Sequence, residues 1–402
     1  MDFPRIGMGK RIVMVRAASL VLKMGIQRQM ISWIRNAFAR LWNTASLLVL
    51  LSIVATIPIL QFASFGYMLE SATRVSRGVP LRRCFPGADV AGKLAVILGC
   101  VFLSWLPVWF VADMAYSAEL IEQGGQIARQ WRIAARIISV IWILWVLWAV
   151  FRGGKLRHFL WPAPILAIKS LFQAKVWREA EDKLWDFVVS LKLPRLLWLG
   201  FMASIGALLW LLIPGTLILI GLSAEGQAGL GVIGLIGAAL MWWVLLNLPF
   251  LQIHMANQAR FLSVFDLQSV RRSFRQAPWA FCFATWTTFL FAVPLYLFRI
   301  ERVPSQLWWL MSLFFIVSMF PAKLFTGWAL FRSAQRSERH IAHPEIRAEV
   351  RWYWRYVAWV PQLAVVLVYL GVLYLAKFVV WEGGASFYLQ HAFLPPVPFF
   401  FE

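Results

Sequence analysis

Charged side chains are scarce in this chain of 402 residues. Only 14% of the residues are Asp, Glu, Lys or Arg, whereas 61% are hydrophobic. Soluble domains average about 25% charged and about 45 to 50% apolar residues. The composition therefore excludes a water-soluble globular protein and is typical of a protein that lies in a bilayer.

Acidic residues are the scarcest charged group. The chain has 18 acids against 39 bases, for a net charge of +21, and no acid lies in the interior of an apolar run. Proton-coupled pumps and transporters generally carry an ionisable group such as a carboxylate at membrane depth. The absence of a carboxylate there argues against proton coupling through a buried acid.

Sequence signatures of catalysis and cofactor binding are also missing. The chain has no P-loop, HExxH, GxSxG or dinucleotide fingerprint, and its three cysteines lack the spacing of a disulfide framework or a zinc site. His340 and His343, with Glu345 nearby, could offer metal ligands on one helical turn. However, Pro344 interrupts that turn and no further His or Cys lies close in sequence. We predict no catalytic residue, no cofactor and no metal, and a protein that is not an enzyme.

Long apolar runs dominate what is present. A helix that crosses a bilayer needs about 20 mostly apolar residues. Eight runs meet or approach this length: 44–69, 94–114, 137–151, 196–222, 229–253, 279–298, 307–330 and 358–381. They predict an all-α, polytopic transmembrane helical bundle of about seven to eight spans, which we expect in a bacterial inner membrane.

The basic residues predict how the runs cross. If every run crossed and the N-terminus were cytoplasmic, only 13 bases between runs would face the cytosol, against 24 outside, which violates the positive-inside rule. If run 44–69 turns back instead, 32 bases lie inside and 5 outside. Pro58 provides a break, because proline lacks an N–H and interrupts a helix interior. We predict a broken hairpin followed by seven spans, with the N-terminus inside; a single crossing of 44–69 is the alternative.

This organisation predicts three regions. Residues 1–43 form a basic cytoplasmic arm, residues 44–381 the transmembrane bundle with a cytoplasmic surface helix in 152–195, and residues 382–402 an aromatic and proline-rich tail docked across the outer face. Bases between membrane spans attract anionic lipid headgroups. We therefore expect the lipid bilayer, with anionic headgroups at the basic face, and a membrane protein as partners, and no nucleic acid.

A few polar residues lie near the interior of the runs. We single out Lys323, Asn247 and His254 as candidate contacts for a solute or lipid, and Pro58 and Pro321 as candidate helix breaks. Both prolines precede a glycine-aromatic pair and a basic exit, a pattern that discontinuous transporter helices also show. Lys323 either faces inward, towards an anionic headgroup or free carbonyls, or snorkels to the cytoplasmic surface, and the sequence favours snorkelling.

Small residues are concentrated on two consecutive runs. They are Gly200, Ala203, Gly206 and Ala207 on the first and Gly234, Gly237 and Ala238 on the second. Faces of small residues let membrane helices approach closely. We therefore predict that these two helices form a rigid hairpin.

Three stretches resemble a known family. They are residues 65–78 (FGYMLESATRVSRG), 275–301 (RQAPWAFCFATWTTFLFAVPLYLFRIE) and 390–401 (QHAFLPPVPFFF). Together they resemble an uncharacterised family of polytopic inner-membrane proteins from planctomycete-type bacteria. The resemblance implies an inner-membrane helical bundle and brings no activity and no functional residues.

Two functions are compatible with these features. We expect a non-enzymatic bundle with a structural, lipid-organising or assembly role; the alternative is a permease or channel for an anionic or lipidic solute. A continuous polar cavity that reaches Lys323 or Asn247 would favour the alternative, whereas a core filled by Leu, Phe and Trp would favour the first. A membrane-embedded enzyme ranks third.

Overall fold

The computed structural model describes the larger part of the chain. The backbone is described for residues 8–152, 156–161, 178, 181–182, 185–186, 189, 191–223, 228–297, 308–345, 347–379, 388 and 392–395. Within these ranges the side chains are described except for those of residues 8–26, 28, 228, 230, 296–297, 308 and 376–379. Most of the predicted surface helix in 152–195 and most of the predicted tail, 382–402, lie outside the described residues.

Every described element is helical. The α helices are α1 (Met8–Ala55), α2 (Leu60–Ser76), α3 (Ala88–Ile121), α4 (Gln126–Phe151), α5 (Leu156–Leu160), α6 (Leu193–Ser223), α7 (Ala228–Gln258), α8 (Leu267–Gln276), α9 (Pro278–Leu297), α10 (Trp308–Ala342) and α11 (Trp352–Val379). Two 3₁₀ helices cover Leu81–Arg83 and Phe261–Phe265. Among the described residues, eight helices are long and apolar enough to cross a bilayer: α1, α3, α4, α6, α7, α9, α10 and α11. The predicted all-α multi-pass fold is confirmed.

The chain forms two compact units. Unit 1 comprises residues 1–47 and 87–163, and unit 2 comprises residues 48–86 and 164–402. The boundary after Leu47 falls within α1, so this helix contributes to both units.

Unit 1 is built on the antiparallel pair of α3 and α4. Trp142 Nε1 donates to Ser104 Oγ at 3.0 Å, and Phe159 of α5 packs with Cys100 and Ala149. Helix α4 begins at Gln126, eleven residues before the predicted run 137–151, and its 26 residues measure about 39 Å. The helix predicted at this run is confirmed, and it begins earlier than the run because polar and basic residues, which end an apolar run, are still good helix formers.

The first run of unit 2 turns back near Pro58. Helix α1 ends at Ala55 and α2 begins at Leu60, and between them Ile59 has a φ of 71°. Ser64 Oγ then donates to the Leu51 carbonyl at 2.9 Å, which places α2 beside the end of α1. The predicted broken hairpin is therefore confirmed.

Helix α2 lies in the interior of unit 2. It packs against α6, α7 and α10, and twelve of its 17 residues are buried. Glycines allow this proximity: a Cβ on Gly66 would overlap the Leu196 carbonyl of α6, and a Cβ on Gly327 of α10 would overlap the Ala72 carbonyl. The return arm of the hairpin is thus the helix around which the others pack.

Helices α6 and α7 also approach closely, as predicted, but with a different set of small residues. Gly234 lies against the backbone of Gly221, and Gly237 against that of Ile218. Gly200 instead lies against the Phe62 carbonyl of α2. The small-residue face of α6 is therefore shared between two neighbours, which a pairwise sequence pattern does not reveal.

Contacts between the segments that separate the apolar runs define one end of unit 2. They are Arg195 with Glu70, Arg77 with Asn257, Ser333 with Gln276, and the Val350 amide with the Arg275 carbonyl. These belong to the segments that the charge distribution predicts on the cytosolic side. We call this the basic end.

Candidate functional site: a buried lysine that holds the tail

Lys323 of α10 is buried inside unit 2. Its side chain is 1% exposed, and its Nζ donates to Gln252 Oε1 at 2.7 Å and to the Ala392 carbonyl at 2.9 Å. The rings of Phe65 and Phe393 lie 5.3 and 5.6 Å from the same nitrogen. Ring faces attract an ammonium at such distances, so the cation is surrounded by dipoles and π faces.

Gln252 of α7 connects the lysine to the tail. Its Oε1 accepts from Lys323, while its Nε2 donates to the Phe393 carbonyl at 2.8 Å and to the Ala203 carbonyl at 3.3 Å. An amide has both an acceptor and two donors, and Gln252 uses both functions. Lys323 and Gln252 therefore hold two consecutive carbonyls of the tail.

Residues 392–395 of the tail are buried, and Tyr388 is half-buried. Residues 392–394 are at most 4% exposed. The Phe393 ring lies 6.0 Å from that of Phe289, which in turn lies 4.6 Å from that of Tyr369. The sequence predicts a tail that docks across a face of the bundle; these residues reach further, to the interior of unit 2.

No acid balances the lysine within the described part of the chain. The ion pairs found there join other residues, such as Arg355 with Glu349 and Arg195 with Glu70. A buried cation is costly unless it is hydrogen-bonded, and here carbonyl and amide oxygens accept its protons. The snorkelling that the sequence favours for Lys323 was wrong, because these acceptors are inside the unit.

Hydroxyl and amide groups continue the polar interior on one side. The hydroxyls of Thr326 and Thr288 are 3.5 Å apart, and Gln362 Nε2 donates to Thr285 Oγ1 at 3.3 Å. Thr285, Thr288 and Thr326 also donate to carbonyls four residues earlier on their own helices. Such bonds between membrane helices contribute about 0.6 kcal/mol each, so this layer mainly orders the packing.

The other predicted contact residues lie elsewhere. Asn247 Nδ2 donates to the Trp243 carbonyl of its own helix at 2.8 Å. His254 Nε2 lies 3.3 Å from Asp266 Oδ2. The structure therefore does not bring Asn247 or His254 together with Lys323.

Asp266 is at the start of α8, beyond the end of α7. Its carboxylate accepts from the Ser269 hydroxyl at 2.6 Å and from the Ser269 amide at 3.1 Å. These two bonds, and to a smaller extent His254, hold the pKa of the Asp266 carboxyl below its usual value. The pair with His254 thus belongs to a helix cap rather than to the buried lysine site.

Of the two predicted helix breaks, only Pro58 lies between two separate helices. Pro321 lies inside α10, which is continuous from Trp308 to Ala342. The predicted break there was wrong: a proline removes one backbone hydrogen bond and clashes with one carbonyl, and a membrane helix packed among others tolerates this.

Gln252 and the tail carbonyls are the part of the site that sequence reasoning missed. Gln252 lies at the very end of an apolar run and just before His254, so it has the appearance of an interfacial residue. Its position inside the run 229–253 was the available signal. Backbone carbonyls leave no signal in a sequence.

No family model, curated protein or solved structure matches this chain.

Proposed function

We propose that this integral multi-pass membrane protein is not an enzyme and has a structural, lipid-organising role. The observation that carries the proposal is that the protein's own tail is hydrogen-bonded to Lys323, the buried cation of unit 2. A permease needs polar groups that can exchange partners with a solute. Here Gln252 and the Ala392 carbonyl already accept from Lys323, and the group is 1% exposed.

Packing around the lysine supports the same proposal. Phe65, Phe289 and Phe393 are all fully buried, and the buried Tyr369 ring lies 4.6 Å from that of Phe289. Aromatic side chains contribute much of the energy of a well-packed core. This filling corresponds to the core expected of a structural bundle.

We further propose that the basic end faces the cytosol and that the membrane is a bacterial inner membrane. The supporting observation is that residues of four Lys- and Arg-rich segments, 70–93, 152–195, 254–278 and 331–357, meet at that end, and anionic lipids attract such segments. The resemblance to planctomycete-type inner-membrane proteins belongs to the same proposal.

A permease or channel for an anionic or lipidic solute is the second candidate. One feature favours it: Lys323 donates to the Ala392 carbonyl and Gln252 donates to the Phe393 carbonyl, and both carbonyls belong to a chain segment outside the long helices. Withdrawal of this segment would leave an ammonium and an amide for an anion to bind.

Solute flux across the membrane of reconstituted liposomes distinguishes the structural role from the permease. The purified protein would be reconstituted and the passage of chloride, phosphate and a fluorescent fatty acid measured, for the wild type and for a Phe393→Ala variant that loosens the tail. Without a permeation path, neither protein passes any of the three above empty liposomes. Flux that is abolished by Lys323→Met in either background would overturn the structural proposal in favour of a permease.

A further inference from the structure

A cleft opens at the basic end of unit 2, where α10 ends and α11 begins. Its volume is about 600 Å³, within the range of small-molecule binding sites. The walls that matter for its chemistry are His340, Arg347, Glu349, Arg351, Tyr353 and Arg355.

The cleft is held in shape by contacts of its own wall. The Val350 amide donates to the Arg275 carbonyl at 3.0 Å. Glu349 accepts from Arg355 at 2.9 Å and lies 3.7 Å from Arg275. These contacts fix the segment before α11 against the segment before α9, so the cleft is formed without a ligand.

The electrostatics of the cleft favour an anion. Three arginines line it against one carboxylate, and that carboxylate is already shared by Arg355 and Arg275. Arg355 Nε is buried and has no acceptor, and buried donors without partners are costly. The N-terminus of α11, which begins at Trp352, adds backbone N–H groups and the positive end of the helix dipole.

Aromatic residues place the cleft at the level of lipid headgroups. Trp352, Tyr353, Trp354 and Tyr356 are all exposed at the start of α11. Trp and Tyr collect where a bilayer meets water, and the candidate spans of α10 and α11 end and begin here, at Ala342 and Trp352. We therefore expect the phosphates of the adjacent leaflet to lie near the height of the arginines.

We propose that this cleft binds the phosphate-bearing headgroup of an anionic phospholipid. Arg347 and Arg351 attract the headgroup, the guanidinium of Arg355 and the first turn of α11 donate to its phosphate, and the exposed aromatic side chains contact the lipid beside it. The inference rests on the proposed lipid-organising role and names its lipid class and site.

The test uses the full chain in lipid nanodiscs or neutral detergent. Binding of phosphatidylglycerol and of phosphatidylcholine would be measured by native mass spectrometry for the wild type and for Arg347→Gln/Arg351→Gln, both exposed residues whose loss spares the core. The matched control is Arg82→Gln/Arg83→Gln, which removes the same charge from exposed positions that do not line the cleft. Arg355→Gln is the second variant.

The expected result is preferential binding of phosphatidylglycerol that weakens about tenfold or more in the cleft variants, since hydrogen bonds to charged groups are the strong ones. The control is expected to stay within about twofold of the wild type, because isolated surface charges contribute little. Equal losses in the cleft and control variants would overturn the inference, as would binding of inorganic phosphate that displaces the lipid at equal concentration.

Failure here and failure of the proposed function are separable. Anion flux in liposomes together with selective lipid binding would remove the structural role and keep the cleft as a lipid site. Absence of flux together with equal losses of lipid binding in the cleft and control variants would keep the structural role and remove the cleft as a lipid site.

Discussion

Lys323 illustrates how a single cation can be accommodated in an apolar interior without an acid. Its two hydrogen bonds end on neutral oxygens, one from Gln252 and one from Ala392. Each bond to a charged donor is about twice as strong as a neutral one. The side chain therefore serves the protein by fastening a segment 69 residues away in sequence.

Replacement of Lys323 by methionine tests this interpretation. Met is similar in length but cannot donate, so Gln252 Oε1 and the Ala392 carbonyl lose their donor inside the protein. An unsatisfied buried acceptor costs about 1 to 3 kcal/mol, and we expect the free energy of unfolding to fall by that order. Thermal or denaturant unfolding in detergent measures it.

The tail gives a second readout for the same variant. A cysteine introduced at the buried Leu394 should react with maleimide faster in Lys323→Met than in the wild type, since the neighbouring carbonyl is no longer held. Lys93→Met, which removes an exposed lysine, is the control. Unchanged stability together with unchanged labelling would contradict the assigned role.

The sequence identified Lys323 as unusual but not its environment. A lysine within an apolar run is visible in any sequence, and snorkelling is its commonest solution because the stem is long and flexible. The alternative depends on Gln252 and on tail carbonyls, which are 71 and 69 residues distant. Such partners are brought together only by tertiary packing.

Helix α2 is the decisive element of unit 2. At 17 residues it measures about 25 Å, less than the thickness of about 30 Å for a hydrocarbon core. It contacts α6, α7 and α10, and Phe65 on it packs over the Lys323 ammonium. A short helix of this kind is stable in a membrane because protein rather than lipid surrounds it.

The close packing of α2 against α6 requires a residue without a Cβ at position 66. In Gly66→Ala the added methyl overlaps the Leu196 carbonyl, so α2 and α6 must separate. Overpacking of this kind costs about 1 to 3 kcal/mol, which we expect as a loss in the free energy of unfolding. The measurement is equilibrium unfolding of the detergent-solubilised protein.

Gly371→Ala provides the matched control in α11. Nothing lies within 4 Å of a Cβ at that glycine, and alanine is the better helix former by about 1 kcal/mol. This variant should therefore be neutral or more stable. If both substitutions had the same effect, steric packing at Gly66 could not be the cause.

Whether a helix end or break could be predicted depended on the kind of sequence signal at that position. The turn at Pro58 could be predicted, because a proline and a surplus of bases on both sides pointed to the same place. The continuous helix through Pro321 could not, since the same residue types occur there and only the packing differs. The start of α4 at Gln126 was missed because apolarity marks the part of a helix in lipid, not its ends.

For the whole molecule, charge placement and contacts agree on one end of unit 2. Arg77 donates to Asn257 at 2.7 Å, and Gln276 accepts from Ser333 at 2.7 Å. The two residues of each pair come from segments between different runs. Their proximity requires that the helices between them traverse unit 2 an even number of times, as the predicted topology does.

Reporter fusions test the orientation in the membrane. Fusions of a reporter active only in the cytosol should be active after residue 85, at the basic end, and inactive after residue 125, between α3 and α4. The physical reason is the retention of Arg- and Lys-rich segments on the cytosolic side. Fusion after residue 195 is a control that should match residue 85, and an active fusion at 125 with an inactive one at 85 would reverse the proposed orientation.

The tail contact also sets an order of events during synthesis. All the long helices of unit 2 precede residues 392–393 in the chain, yet Lys323 and Gln252 donate hydrogen bonds to the carbonyls of those two residues. Domains generally fold as their segments emerge from the ribosome. Until residues 392–393 are synthesised, helices α2, α7 and α10 therefore assemble without the two carbonyls that Lys323 and Gln252 hold in the finished protein.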